Sequence, residues 1–295
     1  MKKISFLFAV VLMCASCVNE NSRLDPVGLI SSNGASVKMR FEQSMAYNKM
    51  VGDLHFDMGA DTYTIFVCSD SHITRSTHRN MDYFMAKYRA AAAPKLALHL
   101  GDVIDGINNY PCIDSILHFA GQTKEDTVLV APGNHDLYFK QWDLFRQYFK
   151  TGVYWFDTNN GAKKLDLFIC LDTGEGTLGV DQMNWLRDLL DAKSKEGYRR
   201  IIVYTHTHFW KLDASQGTTS NFALEETYEL TTLLARYSVE FVWSGHQHAR
   251  QSVIFKGVQY LVLDATKDKE TGQSYMTVEM GENAIYHYYN YPKAN

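Results

Sequence analysis

The sequence predicts an α/β fold in which helices cover a β-sheet, and three observations predict it. From residue 61 onward, short apolar runs alternate with segments whose apolar residues recur at helical spacing. Five of the six strands read before the last β stretch end in a turn that carries Asp, Asn or His. The composition, 46% hydrophobic and 13% aromatic over 295 residues, supplies enough apolar surface for a sizeable core and argues against disorder.

Each element has its own warrant. TYTIFVC (62–68) is a β-branched and aromatic run that reads as a strand. NMDYFMAKYRAAA (80–92) has one apolar face and reads as a helix, and KLALHLG (95–101) returns as a strand. CIDSILHFAGQ (112–122) is a second helix, and TVLVAPG (127–133) a strand that stops at a Pro-Gly turn. QWDLFRQYFK (141–150) is helical and KLDLFICLD (164–172) a strand. VDQMNWLRDLLDAKSKEG (180–197) is the clearest helix, because Met183, Leu186, Leu189 and Leu190 share a face and Gly197 stands at its end. RRIIVYTH (199–206) is a strand, LEETYELTTLLARYS (224–238) a helix and EFVWSGH (240–246) a strand. SVIFKG, VQYLVLDA, SYMTVEM and AIYHYYN close the chain as β-strands between Gln251 and Tyr291.

In α/β sheets, ligands gather beyond the carboxyl ends of the strands. There the chain places Asp70 and His72 (SDSH), Asp102 and Asp105 (GDVID), Asn134, His135 and Asp136 (GNHD), His206 and His208 (THTH), and His246 and His248 (GHQH). A turn uses Gly133 and Asn134 but has no need of His135 and Asp136. A parallel sheet would bring these five ends to one edge. Carboxylate, imidazole and carboxamide oxygen suit Mn, Fe or Zn ions, and the lack of Cys among them argues against a structural zinc site. The donors outnumber what one ion needs, so two are expected.

The order D-x-H, G-D-x-x-D, G-N-H-D, H, G-H-x-H resembles the calcineurin-like metallophosphoesterase family over roughly residues 60–290. LDTGEGTLGVDQMNWLRDLL (171–190) is similar to the family's segment before its fourth motif. The resemblance implies an αββα sandwich of two mixed β-sheets flanked by helices, with a dimetal site at the strand C-terminal edge. It implies that Asp70, His72 and His248 hold one metal, Asn134, His206 and His246 the second, and that Asp102 bridges them. His135 would face the phosphate, steady developing charge and protonate the leaving oxygen, and Asp136 would orient His135. A metal-bridging hydroxide would attack phosphorus in line. His208 would then be a supporting or substrate-facing group, and Asp105 either orients a ligand or caps a turn. His99, inside its strand, reads as structural; Tyr138, Phe209 and Trp210 read as pocket wall or core. Arg75 and Arg79 read as a solvated helix start, with approach to a phosphate as the other reading.

MKKISFLFAVVLMCAS (1–16) reads as a secretory signal: two lysines, a short apolar run, then small residues before Cys17. It resembles a bacterial lipoprotein signal, in which Cys17 would be lipidated; ordinary cleavage and secretion is the other reading. Residues 17–60 then serve as tether and N-terminal extension, and 61–295 as the catalytic domain. The location implied is the cell envelope, periplasmic or surface, with the lipid anchor as its membrane contact. Five Cys, none in a paired framework, predict no structural disulfide. A formal charge of −4 and no basic patch argue against nucleic acid. The substrate expected is a small phosphate ester: a nucleotide, an organic phosphate or a phospholipid head group. The rival reading is a catalytically inactive scaffold or binding protein of the same fold. Such a protein usually loses a ligand or the catalytic His, and this chain keeps them all.

Overall fold

Apolar runs without polar alternation must be covered on both faces, and the fold meets that demand by stacking two sheets between helices. The computed structural model describes residues 34–106, 109–113, 128–211 and 217–293. The chain enters through helix α1 (Val37–Val51) and strand β1 (Leu54–Asp57). Then come β2 (Tyr63–Cys68), α2 (Arg79–Ala90), β3 (Lys95–His99), β4 (Val128–Val130), a four-residue helix α3 (Asn134–Leu137) and α4 (Trp142–Phe149). The second half holds β5 (Tyr154–Asn159), β6 (Lys164–Cys170), α5 (Gly179–Lys193), β7 (Arg200–Tyr204), α6 (Leu224–Arg236) and β8 (Phe241–Ser244). Strands β9 (Gln251–Phe255), β10 (Val258–Val262), β11 (Ser274–Met280) and β12 (Ala284–Asn290) close it.

One sheet has the order β12-β11-β2-β3-β4, the other β1-β5-β6-β7-β8-β10-β9. In the first, β2, β3 and β4 run parallel; in the second, β6, β7, β8 and β10 do. Both sheets are mixed, since β11 lies antiparallel to β2 and β5 antiparallel to β6. Successive residues of a strand face opposite layers. Ile65 and Val67 point into the core between the sheets, where they meet Phe168, Ile202 and Trp243. Phe66, between them, packs with Phe84 and Tyr88 of α2. On the outer face of the larger sheet, Leu167, Ile169 and Val203 meet Leu186 and Leu190 of α5 and Leu230 and Leu234 of α6. The result is the four-layered αββα sandwich that the resemblance implied.

Three features differ from the reading of the chain. The donor-bearing ends do not lie on one parallel sheet: β2, β3 and β4 belong to one sheet, β7 and β8 to the other. An apolar run looks the same whether a helix or a second sheet covers it, so the split was not legible. The stretch read as an N-terminal extension contributes α1 and an edge strand, β1, which pairs with β5. Neither was expected, because the two residues that α1 buries, Arg40 and Ser44, are polar. Strand β5 was also missed. The helix read at 112–122 lies beyond residue 113 outside the described residues, as do the signal segment and Cys17. Among the described residues Cys68, Cys112 and Cys170 are free thiols, and no helix is long and apolar enough to cross a membrane.

Candidate metal centre

The strand ends converge because the two sheets present the same edge. Asp70 and His72 follow β2, Asp102 follows β3, and Asn134 and His135 open α3 after β4. His206 follows β7; His246 and His248 follow β8. A hydrogen bond crosses between the sheets here, the His246 backbone N–H donating to the Asp70 carboxylate at Oδ2, 3.0 Å away. Asp70, His72, Asp102, His246 and His248 all sit at positive φ, between 43° and 70°. Asp and His tolerate this left-handed region better than most side chains, but it still costs about 1–3 kcal/mol each. The strained turns swing successive side chains toward one point. Close backbone approach demands glycine at two of them: a Cβ on Gly133 would fall on the Asp102 amide and carboxylate, and one on Gly245 on Ser69 Oγ.

Two donor clusters result. In the first, His72 Nε2 lies 3.2 Å from His248 Nε2, and His248 Nε2 lies 3.2 Å from Asp70 Oδ1. In the second, His206 Nε2 lies 3.0 Å from Asn134 Oδ1 and 3.1 Å from His246 Nδ1. Asp102 Oδ2 stands between them, 3.3 Å from His206 Nε2 and 3.7 Å from His72 Nε2. Its other oxygen is held by the His135 N–H at 2.8 Å.

The donor set fits cations. Burial pushes the His72 imidazole down to about 4, past the raising pull of Asp102 and Asp70. Burial and the charge of His206 lower His246 to about 4 as well. Both are neutral at pH 7, the form that ligates. Burial would raise Asp70 and Asp102, but the surrounding histidines keep both carboxyls below their usual range. Burial alone would lower His206; the Asp102 carboxylate overrides it and lifts the group to about 9. Thus a positive charge is favoured where Asp102 meets His206, and a cation supplies one. Two of the ring atoms facing away are held: His206 Nδ1 pairs with Leu100 O at 2.9 Å, and His248 Nδ1 with Glu270 Oε2 at 2.9 Å. Such partners fix ring orientation and ligand basicity. Glu270 was missed in the sequence, where nothing marks a loop Glu 22 residues past His248 as its neighbour.

His135 is one-third exposed, and its Nδ1 lies 3.3 Å from Asp105 Oδ1. The expectation that Asp136 orients His135 is corrected. Asp136 is buried and spends its oxygens on the N–H groups of Val103 (3.0 Å), Ile104 (3.3 Å) and Gly133 (2.9 Å). Burial, with the nearby Asp102, raises its carboxyl to about 7. It staples two donor turns together, and Asp105 is the carboxylate beside His135. Helix direction is the reason: Asp136, at the third position of α3, points back under its own N-terminus.

The cluster contains His206; His208 lies behind, buried, with its ring 5.8 Å from that of His246. His99 is buried between Ser71 Oγ (2.8 Å) and the Gly101 N–H (3.2 Å), a structural role as expected. Phe209 and Trp210 belong to the core with Phe222 and Tyr260, so the pocket-wall alternative fails for both. Tyr138 stands at the site: its ring is 5.2 Å from His135, and its hydroxyl accepts from Asn134 Nδ2 at 2.9 Å. That bond aims Asn134 Oδ1 at His206. Arg79 donates to Pro292 O at 2.9 Å and Arg75 is exposed.

Residues 63–250 match the family model described as calcineurin-like phosphoesterase. No curated protein matches the sequence. Among solved structures, a dimetal phosphatase from Danio rerio is similar at 13% identity with TM-score 0.58, over 77% of this chain and 95% of that one. A purple acid phosphatase from yellow lupin (Lupinus luteus) seeds has 12% identity and TM-score 0.57, over 79% of this chain and 52% of that one. GAP50, an anchor in the inner membrane complex of Plasmodium, has 13% identity and TM-score 0.50, over 79% and 90%. At these identities the likeness is one of fold.

Proposed function

The chain belongs to the calcineurin-like phosphoesterase family, and from that membership we propose that it hydrolyses small phosphate esters with two bound metal cations. The observation that carries the reading is the pair of donor clusters joined by Asp102. Asp70, His72 and His248 would hold one cation, Asn134, His206 and His246 the other, and Asp102 both. Bound there, two cations would supply Lewis-acid charge for the phosphate oxygens and acidify a water.

The remaining work falls to side chains at the rim. His135, with Nδ1 against Asp105, has Nε2 as its second proton-bearing nitrogen. The imidazolium can steady charge on the phosphate and give its Nε2 proton to the leaving oxygen. The His135 N–H on Asp102 Oδ1 couples the position of this acid to the carboxylate between the clusters. The acidic balance of the chain favours a small ester over nucleic acid.

The test is hydrolysis of p-nitrophenyl phosphate against bis-p-nitrophenyl phosphate by the fragment from about residue 22 onward, loaded with Mn²⁺, with a chelator control. Chelator-sensitive turnover supports the reading, and the preferred substrate separates monoesterase from diesterase. Two cations bound with no turnover of any phosphate ester would favour the scaffold reading instead. The envelope location is also proposed, from the leader and Cys17. Cys17→Ser should move the protein from the membrane to the soluble fraction; an unchanged distribution would overturn the anchor.

A further inference from the structure

We infer that helix α1 sets the position of the half-site formed by Asn134 and His206, and that Arg40 is the positioning residue through which it acts. The inference rests on the two-cation reading above. Most surface helices dock by an apolar stripe; α1 buries only Arg40 and Ser44. Arg40 Nε donates to Asp172 Oδ2 at 2.7 Å, and Nη1 lies 2.7 Å from Glu175 Oε1, with none of the three side chains more than 2% exposed. Further bonds seat the helix: Ser44 Oγ accepts from the Gly152 N–H at 3.2 Å, and Asn48 Nδ2 donates to Val153 O at 2.7 Å. Removing the guanidinium would leave two carboxylates buried in one short turn without the cation they share, which a folded protein does not tolerate in place.

That turn, 172–175, follows β6, whose end contributes no donor to the centre. It backs the donors on both sides. Thr173 Oγ1 accepts from the Thr207 N–H at 2.8 Å and bonds Thr205 Oγ1 at 2.7 Å, and its carbonyl accepts from Thr207 Oγ1 at 2.7 Å. These bonds bracket His206. Gly174 packs on the turn before Asn134 so closely that a Cβ there would stand 3.1 Å from Gly133 O and 2.6 Å from Leu137 Cδ1. Asp70 hangs on a different support: the segment after β10 bonds its turn through Thr266 N to Ser69 O (2.8 Å) and Lys267 N to Asp70 O (2.9 Å). His248 hangs on that same segment through Glu270. Arg40 therefore governs one half-site more than the other.

The experiment titrates wild type and Arg40→Lys with Mn²⁺ alone, reading free and exchange-coupled manganese by electron paramagnetic resonance beside a melting curve. Lysine keeps the charge but not the fork that spans two carboxylates. Wild type should take up two ions with a coupled signal. Arg40→Lys, still folded at the titration temperature, should bind the first ion as wild type does and the second about 10-fold more weakly, so the coupled signal fades at limiting Mn²⁺. Asn48→Ala, which loosens α1 without touching the carboxylates, should shift the second site in the same direction by less, and it decides the matter should Arg40→Lys not fold. Equal binding of both ions by the variants and wild type, or parallel weakening of both sites, overturns the inference. A wild type that never takes up two ions instead overturns the two-cation reading beneath it.

Discussion

Asp102 contacts both halves of the centre through one oxygen and the acid candidate's backbone through the other. Roles at the residue scale therefore separate cleanly by substitution. His135→Ala should keep full cation content and lose about 10²–10⁴-fold in turnover, the usual worth of a positioned proton donor. Elemental analysis beside a kinetic assay checks it, and full metal with unchanged rate would remove His135 from the mechanism. Glu270→Gln should weaken cation affinity by about 10–100-fold, because a neutral amide holds the His248 ring less firmly than a carboxylate. A chelator-competition titration reads this directly; an unaltered affinity would reduce Glu270 to a surface ion pair.

At the scale of elements, the strand-end turns matter more than the strands. Five donor residues at positive φ require neighbours that leave no slack, and Gly133 is packed against the backbone amide of Asp102 as well as its carboxylate. Gly133→Ala should force the β3 and β4 ends apart, cost more than the about 1–3 kcal/mol of ordinary overpacking, and abolish cation uptake. Calorimetry with and without Mn²⁺ would show a lowered melting temperature that the ion no longer raises. A variant with wild-type metal response would mean that these turns give way more easily than their contacts indicate. Helix α1 belongs to the same scale. Arg40→Met would strand Asp172 and Glu175, a change that typically costs about 3–5 kcal/mol when a buried pair is broken.

For the whole molecule, the centre is a clasp between two sheets. Asp70, His72, Asp102 and Asn134 come from the five-stranded sheet; His206, His246 and His248 come from the seven-stranded one. A cation bound by both sheets should stabilise the entire sandwich. At free Mn²⁺ 100-fold above its dissociation constant, each site should add about 2.7 kcal/mol to unfolding. Thermal melting with Mn²⁺ and with chelator checks this, and coincident curves would show that the sheets do not close on metal. Shifts in the midpoint should follow the cation concentration rather than saturate at once.

The sequence by itself determined most of the strands and helices from residue 61, β5 being the strand it lacked, together with the order of the donor-bearing turns and the residue types within them. Apolar period and turn chemistry are local, and each strand end carried its own Asp, Asn or His. Only the tertiary structure decided which sheet each strand joined and that Asp105 rather than Asp136 stands against His135. It also decided that Glu270 stands against His248 and that the polar-faced helix α1 reaches Asp172. Spacing along the chain says which side chains can turn toward an edge, whereas stacking of the sheets and the direction of each turn choose the partners that meet there.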